Sequence, residues 1–148
     1  METTARDFFT QEQQQAITRA IAEAELKTSG EIRVHIENTL KGDVLDRAAY
    51  LFKHLGMSKT LHRNGVLIYL AVRSRQFAIV GDKGIHKAVP ENFWDNIKHK
   101  MLNDFRENNF TGGLIKAISE TGEHLKMHFP HHANDKNELP DDISFGKN

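Results

Sequence analysis

Three oxygen-bearing side chains, Glu31, Asn64 and Asp82, are of types that could hold a metal ion. Each lies next to a glycine in the sequence and close to one end of a predicted β-strand. Two carboxylates and an amide supply the oxygen ligands that hard cations such as Ca²⁺ and Mg²⁺ take from proteins, together with backbone carbonyls and water. These residues therefore predict a divalent-cation site, provided that the strands bring them to one end of a sheet.

The same residues allow two other interpretations. The carboxyl groups of Glu31 and Asp82 could perform acid–base chemistry if burial moved their pKa values apart. Alternatively, Asp82 is a turn residue and Glu31 forms a structural ion pair with Arg63. Spacing alone favours this structural interpretation, because aspartate beside glycine is common in turns.

Two of the strands form a predicted hairpin. Residues 66–72 are apolar on both faces and have the length of one strand, which predicts a central strand that is covered on both sides. Residues 77–80 read as a second strand after the short polar link Arg73-Ser74-Arg75. A link of this length permits only antiparallel pairing, because a parallel return needs a crossover of a dozen or more residues.

The remaining strand, Glu31–Glu37, alternates apolar and polar residues, so we expect it to be half exposed and near an edge. A helix capped by Asp43 connects it to the central strand as a right-handed βαβ crossover. The starts of these two parallel strands and the end of the returning strand then share one end of the sheet. That end carries Glu31, Asn64 and Asp82, with Arg63 close by.

Three further helices complete the predicted fold. One runs from about residue 11 to 27 behind a Thr10–Gln13 capping box, one opens at Pro90, and the last is capped by Thr111. The order α-β-α-β-β-α-α predicts a three-layer α/β/α sandwich with a small mixed sheet, as a single domain over residues 1–130. Residues 131–148 are polar and are expected to form a flexible tail.

The composition limits the classes of function. Lys and Arg together number 20, as do Asp and Glu, and this zero formal charge argues against nucleic acid as a partner. There is no cysteine, which excludes disulfides and thiolate chemistry. The sequence shows no signal peptide and no apolar run approaching ~18 residues, so we expect a soluble, cytoplasmic protein without membrane contact. Nothing indicates an obligate apolar interface, and we expect a monomer.

Other motifs are weaker. A cluster of histidines, His128, His131 and His132, could bind metal, but its spacing matches no zinc motif and adventitious binding is the simpler interpretation. His35 on the first strand is expected to be packed or hydrogen-bonded. Arg73 and Arg75 are expected at a solvated hairpin tip. Phosphate-binding glycine loops and the serine-hydrolase elbow are absent from the sequence, so no organic cofactor is expected.

Short motifs in a fixed order carry a family resemblance over about residues 8–129. They are Ser29-Gly30-Glu31-Ile32, then Asp46, Ala49 and Phe52, then Arg63-Asn64-Gly65-Val66-Leu67, Arg75, Gly81, Gly84, Phe105 and Gly113-Leu114. In these features the sequence resembles the TPM domain family, named from thylakoid-lumen, photosystem-repair and neuronal receptor-accessory members.

The resemblance implies an α/β/α sandwich and a site that in some members holds a divalent cation, with Ca²⁺ favoured over Mg²⁺. By matching position, Glu31, Asn64 and Asp82 are the candidate ligands. Bacterial members often carry a signal peptide and a membrane helix, and this sequence shows neither.

Three functions fit that resemblance. The first is a binding module that holds the cation and docks a protein partner. The second is a metal-dependent phosphatase, since an acid-phosphatase activity has been attributed to a plant relative; the metal would polarise a phosphoryl oxygen, and Arg63 or Lys83 would neutralise phosphate charge. The third is a structural domain without an ion.

Overall fold

A computed structural model describes residues 4–131 and 138–146. Its helices and strands follow the order α1 (Ala5–Phe8), α2 (Gln11–Glu25), β1 (Glu31–Glu37), α3 (Val44–His54), β2 (Gly65–Ala71), β3 (Gln76–Gly81), α4 (Lys83–Ala88), α5 (Asp95–Arg106), α6 (Phe110–His128) and β4 (Ser144–Phe145). A short 3₁₀ helix, Met57–Lys59, lies between α3 and β2.

The four strands form one mixed sheet in the order β3-β2-β1-β4. Strand β1 pairs in parallel with β2, and β2 pairs antiparallel with β3, which confirms the predicted crossover partners and the hairpin. The register places Glu31 opposite Gly65 and Val66 opposite Gly81. The start of β1, the start of β2 and the end of β3 therefore lie at one end of the sheet.

Apolar side chains cover both faces of the sheet, so the predicted three-layer α/β/α arrangement is confirmed. On one face, the alternating apolar residues of β1, which are Ile32, Val34 and Ile36, pack against α2, α5 and α6. The other face packs Leu67, Tyr69 and Ala78 against α3 and the 3₁₀ helix, through Phe52 and Met57 among others. Every residue of β2 is buried, as its continuous apolar run predicts.

Local signals fixed several helix boundaries. The Thr10 side chain accepts from Gln13 N at 3.1 Å and the Gln13 side chain accepts from Thr10 N at 2.9 Å, which is the predicted capping box. Asp43 Oδ2 accepts from the backbone N–H groups of Leu45 and Asp46 at 3.0 Å and caps α3 as expected.

The expectation that β1 is half exposed is wrong. Residues 138–146, which we call the C-terminal strap, run along β1, and Ser144–Phe145 pairs with it in parallel as β4. Strand β1 is thus internal, and six of its seven residues are buried. Without β4, this edge of β1 would carry unpaired backbone N–H and C=O groups, which the strap satisfies. The strap is also held by Leu139, which is buried in the core beneath α3.

The expectation of a flexible tail therefore fails for residues 138–146, which pack on the sheet. Residues 132–137 and 147–148 of that tail lie outside the described residues.

Two helix starts also differ from expectation. Helix α5 begins at Asp95 rather than Pro90, after a turn that holds Phe93 and Trp94. Helix α6 is capped by Asn109 rather than Thr111, because the Asn109 side chain accepts from Gly112 N at 3.1 Å.

The predicted turn 81–84 leads into a short helix, α4, which Asp82 caps. On α3, Leu45 and Ala49 are exposed, whereas Ala48, Leu51 and Phe52 are buried. None of the helices in the described part of the chain is long and apolar enough to cross a membrane.

Candidate functional site

Glu31, Asn64 and Asp82 lie at the same end of the sheet, and all three are buried, with exposed fractions of 3%, 1% and 5%. Glu31 opens β1, Asn64 immediately precedes β2, and Asp82 immediately follows β3. Buried polar side chains need partners, because burial without a hydrogen bond or counter-charge is costly. The partners of each residue therefore show what this end of the sheet can do.

Asp82 is held by an arginine. Arg63 Nε donates to Asp82 Oδ2 at 2.8 Å, and Arg63 Nη2 donates to Oδ1 at 3.0 Å, which is the bidentate geometry of a strong pair. Asp82 Oδ1 also accepts from Lys83 N at 2.7 Å. The structural ion pair considered for Glu31 and Arg63 is therefore formed by Arg63 and Asp82 instead.

Asn64 links the starts of β1 and β2. Its carbonyl accepts from Glu31 N at 3.3 Å, and its side-chain Nδ2 donates to Ser29 Oγ at 3.4 Å. The second contact is long for a hydrogen bond, so the amide is only weakly engaged.

Strand β2 separates the two predicted carboxylates. Glu31 and Asp82 lie on the strands that flank β2, and two strand spacings place their backbones roughly 10 Å apart. Between them is Gly65, where an added Cβ would be 3.2 Å from Met57 O and 3.8 Å from the Phe52 ring. Within residues 4–131 and 138–146, no group of three or more His, Cys, Asp or Glu side chains is arranged to hold a metal ion.

Glu31 instead faces other acidic groups. Its Oε1 accepts from Glu138 N at 2.7 Å, whereas Oε2 is buried and has no hydrogen-bond donor among the described residues. The Glu25 carboxyl lies beside it and can bond to it only by sharing a proton. Glu25 in turn bonds to Asp141 of the strap. We call Glu25, Glu31, Glu138 and Asp141 the acidic cluster.

The electrostatics of the acidic cluster favour the protonated forms of its buried carboxyl groups. Burial, and then the bond to Asp141, raises the pKa of Glu25 far above its ordinary value. Burial also raises the pKa of Glu31, despite the N–H of Glu138. Arg33 lies two residues along β1, yet among the described residues no ion pair joins it to Glu31.

Sequence reasoning did not find Glu25, Glu138 or Asp141. Glu25 ends a helix that precedes β1 by a few residues, and its position offered a weak local signal. Glu138 and Asp141 are more than a hundred residues from Glu31, within the part expected to be flexible, and no local pattern links them to it.

A second buried glutamate, Glu37, ends β1 and is fully partnered. Tyr69 Oη donates to Glu37 Oε2 at 2.6 Å, and Arg47 Nε donates to both carboxylate oxygens at 3.1 Å, with Nη2 as a further donor. His35 Nε2 lies 3.4 Å from Glu37 Oε1. Burial alone would raise the pKa of Glu37, but the hydrogen bonds from His35, Arg47 and Tyr69 lower it to about 2.

His35 is packed and hydrogen-bonded, as expected from the sequence. It is 4% exposed, its ring stacks on Tyr69 with 6.1 Å between centroids, and its Nδ1 lies 2.8 Å from Ser144 Oγ.

The histidine cluster and the hairpin arginines lie on the surface. His128 is exposed and contacts the Phe93 ring, His131 is exposed, and His132 lies outside the described residues. Arg73 and Arg75 are exposed at the hairpin tip, as expected, and Arg75 donates to Asn108.

Known structures share this fold. The NMR structure of the BA42 protein from the psychrophilic bacterium Bizionia argentinensis is 46% identical, with a TM-score of 0.89 over 94% of this chain and 96% of that one. The N-terminal domain of a protein from P. gingivalis is 19% identical, with a TM-score of 0.68 over 84% of this chain and 82% of that one. The N-terminal domain of the cg2496 protein from Corynebacterium glutamicum is 13% identical, with a TM-score of 0.63 over 95% of this chain and 81% of that one.

No curated protein matches. The family model of the TPM domain matches residues 3–124, which is most of the chain. Together with the β-hairpin, the parallel crossover and the covering helices, this match shows that the chain belongs to the TPM domain family.

Proposed function

We propose that this TPM domain is a binding module that takes up a divalent cation at the Glu31 end of the sheet, with Ca²⁺ favoured over Mg²⁺. One observation carries the proposal: apart from the proton that Glu25 can share with this carboxyl, the buried Glu31 Oε2 has no hydrogen-bond partner among the described residues, and it lies in the acidic cluster. A cation is the partner that such a group lacks.

The physical argument rests on desolvation. A buried carboxylate without a counter-charge is costly, and in a protein it either takes up a proton or binds a cation. Burial raises the pKa values of both Glu25 and Glu31, so protons fill this role when no ion is bound. A divalent ion would displace those protons and neutralise two carboxylates at once.

The shape of the site favours Ca²⁺. The acidic groups come from three separate parts of the chain, namely the end of α2, the start of β1 and the strap. Ca²⁺ accepts six to eight oxygens in irregular geometry, including carbonyls and water, whereas Mg²⁺ requires near-ideal octahedral coordination.

The three residues predicted from sequence have different parts in this proposal. Glu31 is the principal ligand and Glu25 its acidic neighbour. Because no three acidic side chains in the described part of the chain are arranged to hold an ion, backbone carbonyls and water would complete the coordination. Asn64 lies at the same sheet end and its amide is weakly engaged. Asp82 joins only if Arg63 releases it, and the Arg63 side chain is 41% exposed.

Titration of the ¹⁵N-labelled protein with Ca²⁺, then Mg²⁺, tests the proposal. We expect saturable shifts at the amides of Glu25, Glu31 and Glu138, tighter for Ca²⁺, which are lost in Glu31→Gln. The matched control is Glu123→Gln, because Glu123 is a half-exposed glutamate paired with Lys27 and should leave the shifts unchanged.

The Asp82→Asn variant separates the two halves of the site. Weakened affinity in this variant would include Asp82 among the ligands, and unchanged affinity would restrict the site to the acidic cluster. Absence of shifts around Glu31, or shifts only near His128 and His131, would contradict the cation site.

A further inference from the structure

A groove of about 460 Å³ lies at the other end of β1, between α3 and the strap. Its polar floor contains His35, Glu37 and Ser144, and its walls include Tyr50, Leu55 and Phe145. Glu37 in this floor is six residues along β1 from Glu31, which is a distance of roughly 20 Å along the strand. The groove is therefore separate from the proposed cation site.

Three side chains in the groove form a connected chain of hydrogen-bonding groups. Ser144 Oγ lies 2.8 Å from His35 Nδ1, and His35 Nε2 lies 3.4 Å from Glu37 Oε1. A hydroxyl within reach of an imidazole, which a carboxylate in turn orients, is the recurring arrangement of an activated nucleophile. The longer of the two distances is within what unliganded sites show.

The protonation of Glu37 fixes the direction of these bonds. Hydrogen bonds from His35, Arg47 and Tyr69 outweigh burial and keep this carboxyl ionised at neutral pH. An ionised Glu37 can only accept, so we assign the imidazole proton to Nε2. Nδ1 is then left with a lone pair directed at the Ser144 hydroxyl, which is the state that a general base requires.

The position of each group is fixed by packing. The His35 ring stacks on Tyr69 with 12° between the planes, and Tyr69 also donates to Glu37. The strap holds Ser144 opposite His35 in the parallel register of β1 and β4, and Gly146 N donates to Ile36 O at 2.9 Å beyond it. Ser144 itself is only partly buried, so the hydroxyl is accessible from the groove.

We propose that Ser144 is a nucleophile activated by His35, with Glu37 as a positioning residue, and that the groove hydrolyses carboxylic esters. Ser144 Oγ attacks the ester carbonyl carbon while its proton moves to His35 Nδ1. The bond to the alcohol oxygen breaks, and the alcohol leaves with that proton. Water then attacks the acyl-serine, gives its proton to His35, and releases the acid as Ser144 regains the proton.

The walls define the class of ester. Tyr50 is 56% exposed, stacks on His54, and with Leu55 and Phe145 offers an apolar surface for an aromatic or short aliphatic group. Arg47 lines the same groove, where its guanidinium is held by the Glu37 carboxylate. Small esters with an uncharged aromatic alcohol fit this surface best.

A fluorophosphonate probe tests the nucleophile directly. Attack by Ser144 Oγ forms a P–O bond and expels fluoride, and the hydroxyl proton passes to His35. We expect one adduct per chain by intact-mass spectrometry, mapped to the peptide that contains Ser144. The adduct should be absent in Ser144→Ala and should form on the order of 100-fold more slowly in His35→Gln.

Controls distinguish a nucleophile from a reactive surface. Ser119 is an exposed serine on α6, and Ser119→Ala should be labelled like the wild type. A burst of one p-nitrophenolate per chain from p-nitrophenyl acetate, lost in Ser144→Ala, would show the acyl-serine.

Unlabelled wild type would overturn the proposal, as would an adduct that persists in Ser144→Ala. Thermal unfolding of Ser144→Ala checks that loss of labelling is not loss of fold, since a half-buried hydroxyl on a two-residue strand should change stability little. If His35→Gln proves unfolded, the burst in Glu37→Gln supplies the second readout, because a mis-oriented imidazole slows acylation without removing Ser144.

Discussion

The two ends of β1 each bury a glutamate on the same face of the sheet, yet in opposite surroundings. Glu31 and Glu37 are six residues apart, so both side chains point to the same side, and they are exposed by only 3% and 1%. Glu37 accepts hydrogen bonds from Arg47 and Tyr69 and its pKa falls to about 2. Glu31 has one backbone donor and acidic neighbours, and its pKa rises.

Burial alone therefore does not decide what a carboxyl group does. At Glu37, the donors compensate desolvation, and the group is an ionised and satisfied part of the structure. At Glu31, the same desolvation is uncompensated, and the group requires a proton or a cation. This contrast favours cation binding at the Glu31 end of the sheet, whereas the ionised Glu37 can orient His35.

Removing Arg47, the counter-charge of Glu37, should have the largest effect on the free energy of unfolding. Arg47→Ala leaves Glu37 ionised and buried with Tyr69 and His35 as its remaining partners. We expect a loss of about 3 kcal/mol in the free energy of unfolding, at the low end of values for broken buried pairs because Arg47 is partly exposed. Urea unfolding at pH 7 measures it, and a loss below about 1 kcal/mol would mean that Glu37 does not depend on Arg47 as its counter-charge.

The pH dependence of stability should separate the two ends. The folded state keeps protons on Glu25 and Glu31 that the unfolded chain releases above the ordinary pKa of 4.5, so stability should fall as pH rises from 4.5 through their raised pKa values. The slope reaches at most about 1.4 kcal/mol per pH unit for each proton.

The sign is reversed at Glu37. Its lowered pKa stabilises the fold above pH 4.5, and that contribution is lost as pH falls toward 2. Urea unfolding between pH 3 and pH 9 should therefore show greatest stability near pH 5. A profile that keeps rising from pH 5 to pH 8 would contradict the acidic cluster.

Replacing Glu31 by a neutral side chain should stabilise the protein in the absence of metal. Glu31→Gln removes a buried charge at pH 8, keeps an acceptor for Glu138 N, and is expected to add about 1–2 kcal/mol to the free energy of unfolding. The matched variant Glu37→Gln should be destabilising, because its arginine loses the charge it faces. Equal effects of the two substitutions would remove the contrast between the ends.

An exposed ion pair provides the smallest expected effect. Lys27 and Glu123 form a pair in which both side chains are about half exposed. Lys27→Ala should leave the free energy of unfolding close to the wild-type value, because solvent screens the charges. A loss as large as that of Arg47→Ala would mean that pairing at the surface matters as much as pairing in the interior.

The elements that rest on neighbouring residues could be predicted from the sequence. The capping box at Thr10, the central strand with its hairpin, and the placement of Glu31, Asn64 and Asp82 at one sheet end follow from local spacing and strand direction. The acidic cluster could not be predicted, because Glu138 meets Glu31 across 107 positions. The alternation of β1 resembled a half-exposed strand, since a buried glutamate can be recognised only once Arg47 and Tyr69 are seen beside it.

The strap joins the two ends of β1 through one short segment. Glu138 N contacts Glu31 at its beginning, and Ser144 contacts His35 near its end. Equilibria that share a segment are linked, and the linkage is reciprocal. If a cation at the acidic cluster tightens the hold on the strap, a ligand seated against Ser144 must raise the affinity for that cation by the same factor.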